Sequence, residues 1–471
     1  MARTFLDIPD FAAAEDGSIT TGGLILIVTF MALGGLAVDV SNMVNQRTQL
    51  QMAADSAAHN ALYERNERLD VTPEIAIAAG VAMGERNMPD QFYGNVVNPE
   101  DVRFGVWNPA TRTFTPDPNS RSAVRVETHR DEAGGNEIAT FLLKFAGFDS
   151  WNVRTVSVFE TYDPPCLREG FVAEKMVDIQ SNNSYFEGFC IHSNDVVSIN
   201  SNNYFQEGTI VSMPDATRLD IPKSGYKTNE GLQEALRYGA IQIRLINALR
   251  EVAASPFATG SAEMWEYVRL ATRDGQLDYV TGQPRQVTIV NGAPKKSSPD
   301  ANQVEANKTL LDKDGVSVLR QNAVNYLYCS STSTQLQVKQ VLSDVVIITN
   351  CQVSFGSGGA IEGGLIATLH TGAASISGSS GTRIGRVDNC VEGGGAQLVS
   401  LGGMDFASGV TIQGGQLIAL KEIRFSANGD GLKGTSIISG DTVSGTSNME
   451  MGLCGTGMED NLSLDYFRMV L

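Results

Sequence analysis

Glu187 and Glu207 stand twenty residues apart, each followed by glycine, within two nearly repeated stretches: VDIQSNNSYFEG from Val177 and VSINSNNYFQEG from Val197. If these stretches stack in space, the two carboxylates lie about 5 Å apart. That spacing suits a Ca²⁺ ion or an acid–base pair acting on a glycan. The plainer reading is a solvent-facing Glu-Gly turn that recurs because the backbone recurs. Six cysteines, Cys166, Cys190, Cys329, Cys351, Cys390 and Cys454, all follow residue 160, with no CxxC pair and no neighbouring histidine. The set therefore reads as disulfides and not as a zinc site. Many pairings are open; chain neighbours (166 with 190, 329 with 351, 390 with 454) are the expectation carried forward. His59, His129, His192 and His370 are isolated. No G-x-S-x-G, H-E-x-x-H or P-loop pattern accompanies them, so no catalytic residue, cofactor or metal is expected.

Charge narrows the partners. Fifty-three acids against 35 bases give a net charge of −18, which argues against nucleic acid, since phosphate binding needs a basic face. At 471 residues and 42% hydrophobic content the chain is long enough for two or three folded domains. Forty-eight glycines, concentrated in the last third, punctuate apolar runs and imply tight turns between short strands.

The elements that must position these residues begin with a membrane candidate. From Gly17 to Val38 the chain reads GSITTGGLILIVTFMALGGLAV, uncharged between Asp16 and Asp39. At about 1.5 Å per residue this spans a hydrocarbon core of roughly 30 Å. A buried core helix rarely runs so long without a charge. A cleaved signal peptide would start basic, whereas this start carries Asp7, Asp10, Glu15 and Asp16. Gly22, Gly23, Gly34 and Gly35 would admit another helix at close range. The helix should continue as a stalk through VSNMVNQRTQLQMAADSAAHNALYERNE, with Ala53, Ala54, Ala57, Ala58 and Ala61 forming a small-residue face. Three alternating stretches then follow: VRFGVWNPATRTFTPDP (Val102–Pro118), SAVRVETHR (Ser122–Arg130) and AGFDSWNVRTVSVFE (Ala146–Glu160). They read as strands separated by Pro/Asn/Asp turns.

Asp39, Arg47, Leu50, Gln51, Ala54, Asp55, Ala57 and Ala58, within AVDV and RTQLQMAADSAA, closely resemble the TadG-like (TadE/TadG-like) proteins of bacterial tight-adherence (Tad, or Flp) pilus systems. The resemblance covers about residues 1–162. It implies a structural, non-enzymatic assembly component of such a pilus or related adhesion system. It further implies a single pass through the inner membrane, a large domain in the periplasm or at the cell surface, and other pilus-assembly proteins as partners. Two features depart from the pattern. The Asp-x-Ser-x-Ser metal motif of von Willebrand A-type relatives is missing, and Gly22 stands where a processed pilin carries Glu five residues after the cleaved Gly.

The repeated sentence sets the distal fold. A period of about twenty residues with short β-branched runs and polar turns is that of a β-solenoid coil. Val177 over Val197 and Ile179 over Ile199 should form inward stacks. Asn182-Asn183 over Asn202-Asn203 should form an asparagine ladder at a corner, where Asn tolerates the left-handed conformation. AIEGGLIATL (from Ala360), CVEGGGAQLVSL (from Cys390) and TIQGGQLIAL (from Thr411) repeat that grammar. A right-handed parallel β-helix is expected; a β-sandwich is the alternative. Between the blocks, Leu232, Leu236, Ala240, Ile243, Ile246, Leu249 and Ala253 recur at helical spacing, SAEMWEYVRLATR reads as a second helix, and residues 292–308 read as an exposed loop.

The expected order is thus a tail (1–16), a transmembrane helix (17–40), a stalk helix (41–70), a small α+β domain (71–162), first coils (163–221), a helical insertion and loop (222–335), then Gly-rich coils with a C-terminal cap (336–471). Cell-wall or surface polysaccharide is a further expected partner beside the lipid bilayer. A membrane-tethered glycan-binding or glycan-cleaving solenoid is the alternative function.

Overall fold

The computed structural model describes residues 18–67, 71–162, 165–238, 285–290, 303–305, 310, 319–321, 323–331, 334–389, 391, 395–426, 431–454 and 466–471. Two units emerge, residues 1–162 with 465–471 and residues 163–464.

In the first unit, helix α1 (Ser18–Glu67) is 50 residues long, uninterrupted because no proline breaks its ladder and its glycines are tolerated in apolar surroundings. Its N-terminal half is apolar on all sides, with Leu24, Ile25, Ile27, Phe30 and Leu33 exposed. Thr29 satisfies its hydroxyl on the Ile25 carbonyl at 2.8 Å, as a membrane-facing threonine must. The C-terminal half is not a bare stalk. Ala53, Ala54, Ala57, Ala58 and Ala61 are fully buried, and this face packs on helix α2 (Pro73–Asn87). Alanine and glycine meet there at backbone range: a Cβ on Gly80 would come 2.9 Å from Ala61 Cβ and 3.1 Å from the Ala57 carbonyl oxygen. The small-residue stripe thus finds its partner inside the chain. The other side of α1 covers an antiparallel sheet whose order is 113–116, 102–108, 123–130, 153–162 and 466–469. The last strand is a correction to the expected C-terminal cap of the solenoid. Tyr466–Met469 pairs with Val153–Tyr162, Phe467 opposite Thr161, and Arg468 lies 2.6 Å from Glu160.

The second unit is a parallel β-solenoid. Val197 sits over Val177 and Ile199 over Ile179, all four buried, as the alternation requires. A second inward ladder runs Ile347, Ile366, Leu398, Leu417, Ile437, Phe171, Ile191 and Val211. The coil order in space differs from the order in sequence. One face is a nine-stranded sheet that reads 219–220, 196–199, 176–179, 442–446, 423–425, 404–406, 376–378, 352–355 and 335–338. The chain therefore enters mid-stack at residue 170, coils outward to Tyr238, and resumes at the opposite end. It then coils back until Val443 lies over Val177 and Ile437 beside Phe171. Nine strand spacings separate the 236–238 strand from the 324–329 strand, or about 43 Å.

The asparagine ladder crosses that splice. Asn203 Oδ1 accepts from the Asn183 amide at 3.0 Å and from Asn183 Nδ2 at 2.9 Å, and Asn229 Oδ1 does the same for Asn203. Asn183 Oδ1 in turn accepts from the Met449 amide at 3.2 Å. Asn182, Asn202 and Asn448 all hold the left-handed corner, with φ of 65°, 64° and 53°. Cys166 is bonded to Cys190 and Cys329 to Cys351, with Cα separations of 4.7 and 5.3 Å. Cys454 is disulfide-bonded as well; Cys390 lies outside the described residues.

The expected helical insertion is reduced where it is described. Leu232–Ala235 makes one turn, and Leu236 then enters the inward ladder opposite Val211. Gly231, at φ 79°, has no room for a Cβ against the Phe205 carbonyl, so the helix starts on a residue that only glycine can fill. Within 292–308, Gln303–Glu305 is a strand pairing with Arg285–Val290, not loop. The remaining helical positions (Ala240, Ile243, Ile246, Leu249, Ala253) and the SAEMWEYVRLATR segment lie outside the described residues.

Candidate functional site

Seven of the eight motif residues of α1, all but Arg47, form one structural device. Asp39 ends the uncharged stretch and is 1% exposed. Its carboxylate accepts the backbone amides of Phe141, Leu142 and Leu143 at 2.7, 2.9 and 2.7 Å. Those amides belong to a loop held closed at its neck. Ile138 pairs with Trp151 and Ala139 with Ser150, the Thr140 amide donates to the Asp149 carbonyl at 3.0 Å, and Gly147 turns the chain at φ 86°. A short 3₁₀ turn, Leu143–Ala146, leaves these amides free of partners of its own, and a buried carboxylate takes them as an anion takes a helix start.

Farther along α1 the motif fastens the sheet. The Leu50 carbonyl accepts from Thr128 Oγ1 at 3.0 Å. Gln51 Nε2 donates to Asp55 Oδ1 at 2.8 Å and to the Val156 carbonyl at 3.1 Å. Ala54, Ala57 and Ala58 are the buried contact surface, and Arg47 is exposed. The motif thus links an apolar anchor rigidly to the domain beside it. Sequence inspection missed the other half of the device. Phe141, Leu142, Leu143, Phe145 and Phe148 sit 102 or more residues from Asp39, and their signal was an apolar run, FLLKFAGF, whose first five residues fell between two expected strands and whose last three were read as the start of one.

The histidines singled out for chemistry are scattered, while the two glutamates stand on stacked turns, the Gly188 amide donating to the Gly208 carbonyl at 3.4 Å. Glu187 and Glu207 are exposed turn residues; the Glu187 amide donates to Gln206 Oε1 at 3.2 Å. No cluster of three or more His, Cys, Asp or Glu side chains able to hold a metal occurs among the described residues. His59 packs edge-on against Phe159 and Phe467, His129 lies 3.2 Å from Asp101 Oδ2, and His370 Nδ1 lies 3.1 Å from Ser375 Oγ. His192 is the exception worth testing. Its Nδ1 is 2.7 Å from Ser212 Oγ and its Nε2 3.0 Å from Asn194 Oδ1, and Asn194 donates to Glu174 at 2.7 Å. Burial holds the imidazole below its usual pKa range. His192 is only 3% exposed and both of its ring nitrogens have partners, so the arrangement reads as a satisfied polar ladder between coils.

A polar groove of about 330 Å³ lies on the outer side of the nine-stranded face, lined by Asp178, Gln180, Ser198, Asn200 and Asp220 among others. Gln180 Nε2 donates to both Asp178 oxygens at 2.9 Å, and Ser198 Oγ donates to Asp220 at 3.0 Å. Burial, reinforced by Asp220 and Glu422, raises the Asp178 carboxyl above its ordinary range.

Comparison with known families divides the chain where the fold does. Residues 170–455 match the family described as a domain of unknown function, DUF7867. Residues 17–62 match the Flp pilus-assembly TadE/G-like family, over the anchor and the motif helix. No curated protein and no solved structure matches. The long apolar helix, with only 12% of its most apolar stretch buried, and the TadE/G-like match over the same residues together support a Tad-related membrane anchor at residues 17–62.

Proposed function

We propose that this chain, which belongs to the DUF7867 family through more than half of its length, is a non-enzymatic assembly component of a Tad (Flp) type pilus or related adhesion system. The observation that carries the reading is the anchor motif. Residues matched to the pilus-assembly family fasten a lipid-exposed helix to a folded domain through Asp39, Leu50 and Gln51. A coupling that stiff suits a part that holds a folded domain at the bilayer surface. Disulfides between Cys166 and Cys190 and between Cys329 and Cys351 favour placing that solenoid on the oxidising side of the inner membrane. Its partners are then the bilayer and other pilus-assembly proteins. Gly22 and Gly23, with nothing within 4 Å of where a Cβ would stand, offer a close-packing patch to another membrane helix. Deleting the gene and counting surface filaments by electron microscopy tests the reading: filaments should disappear and return with the full-length chain. Normal piliation and attachment in the deletion strain would overturn it.

The second reading is a glycan-binding or glycan-cleaving solenoid, favoured by the groove around Asp178 and Asp220. Incubating the full-length protein with acidic polysaccharides and following unsaturated products distinguishes the two. Turnover lost in Asp178→Asn would establish the second at the expense of the first.

A further inference from the structure

The loop held by Asp39 carries an unusual load for a soluble surface. Phe141, Phe145 and Phe148 are 57%, 71% and 62% exposed, and Lys144 to Asp149 are exposed without a break. Three outward phenylalanines within eight residues form a patch that a water-facing loop would not keep. Its position along α1 explains it. A Cβ on Gly35 would lie 3.2 Å from Leu142 Cβ and 3.2 Å from Leu143 Cδ2, and one on Gly34 would lie 3.9 Å from Leu142. Gly34 and Gly35 belong to the uncharged stretch that spans the bilayer and precede Asp39 by only five and four residues. At 1.5 Å per residue the Leu142 and Leu143 side chains therefore reach about 6 Å inside the level of Asp39. The glycines are what let it come so close.

We infer that residues 141–148 are an interfacial anchor: the loop dips into the same membrane leaflet through which α1 emerges, with Phe141, Phe145 and Phe148 just below the lipid headgroups, where the acyl chains begin. Lys144, whose Nζ lies 5.6 Å from the centre of the Phe145 ring, extends toward the lipid phosphates, as a basic side chain at that depth does. Aromatic side chains favour this zone of the bilayer. Asp39 makes the arrangement possible. Backbone amides entering the interface lose water and need a partner, and its carboxylate accepts three of them at 2.7–2.9 Å. A helix held at a second point cannot swivel freely, so the loop would set the tilt at which the domain leaves the membrane. The occupant is lipid because the patch is continuous with the lipid-exposed face of the span.

The inference rests on α1 spanning the bilayer, and the test separates the two claims. Full-length Phe145→Trp, Leu26→Trp and Arg112→Trp proteins are reconstituted in phosphatidylcholine–phosphatidylglycerol vesicles with and without brominated acyl chains. The tryptophan emission added by each substitution is then compared with that of the parent. Leu26→Trp reports the span, and Arg112→Trp reports the hairpin tip between two strands of the sheet. The expected result is that bromine quenches the added emission of Leu26→Trp and Phe145→Trp by at least about twofold and leaves that of Arg112→Trp unchanged. Quenching of Leu26→Trp without Phe145→Trp would overturn the loop and leave the span standing. Failure of both would overturn the span and the loop with it. Shielding of Phe145→Trp from both bromolipid and aqueous acrylamide would place a protein surface, not lipid, over the patch.

Discussion

Replacing Asp39 by alanine should free the loop and spare the domain. The carboxylate accepts three amides at 2.7, 2.9 and 2.7 Å from a position that is 1% exposed. A hydrogen bond to a charged acceptor contributes about 1.5–3 kcal/mol, but the three share one group and are not additive. Water reaching the vacated site recovers part of the loss. The net local cost is about 3 kcal/mol, which corresponds to roughly a hundredfold change in an opening equilibrium. Hydrogen–deuterium exchange of the full-length chain in nanodiscs reads this directly. The amides of Phe141, Leu142 and Leu143 should exchange about 100-fold faster, while those of Val124 and Val126 in the central strand keep their protection. The helical segment around Ala57, packed by its own alanine and glycine contacts, should also be unchanged. Asp39→Asn, with one acceptor oxygen in place of two, should fall between. Loop protection equal to the parent would refute the role given to the carboxylate. Protection lost throughout residues 18–162 would refute it too, since Asp39 would then hold the fold and not the loop.

The remaining predictions concern the solenoid. Asn203→Ala removes the side-chain oxygen that pairs the Asn183 amide and Nδ2 and the Nδ2 that donates to the Asn200 carbonyl and Asn229; it should cost about 2–4 kcal/mol and lower the melting temperature of the solenoid by several degrees, whereas Asn202→Gly, at φ 64°, should melt like the parent. The coil order predicts that Asp178→Cys with Ser444→Cys, register partners 266 residues apart, will form a disulfide in the intact chain, seen as altered mobility on a non-reducing gel after trypsin digestion; absence of the link would refute the splice. Asp178→Asn should raise the melting temperature at pH 7, because a carboxyl whose pKa is raised by folding opposes stability once pH exceeds the ordinary carboxylate range. The gain should close as pH falls toward about 3, where both states are protonated, and a pH-independent difference would show that charge burial is not its cause.

The local grammar of this protein is written in the chain. Twenty-residue spacing, β-branched alternation and Asn-Asn corners are enough to give coils, because each coil's turn chemistry is a property of a few consecutive residues: Asn182 and Asn202 need the left-handed corner whatever lies above them. Twenty-two uncharged residues ending at Asp39 are likewise enough to give an apolar helix. Which coil meets which was decided only in three dimensions. Parallel coils of similar cross-section present similar edges, so nothing in the sequence of 432–452 marks 170–185, instead of a later segment, as its neighbour. The pairing is set by which two exposed edges remain after each block has stacked. The same reason hid the partners of the anchor motif. Alanines at 53, 57 and 61 announce a close contact, but only packing assigns it to Gly80 of the same chain. An aspartate at a membrane boundary announces a polar role, but the amides it serves lie more than a hundred residues away, brought there by the paired strands 123–130 and 153–162 on either side of their loop.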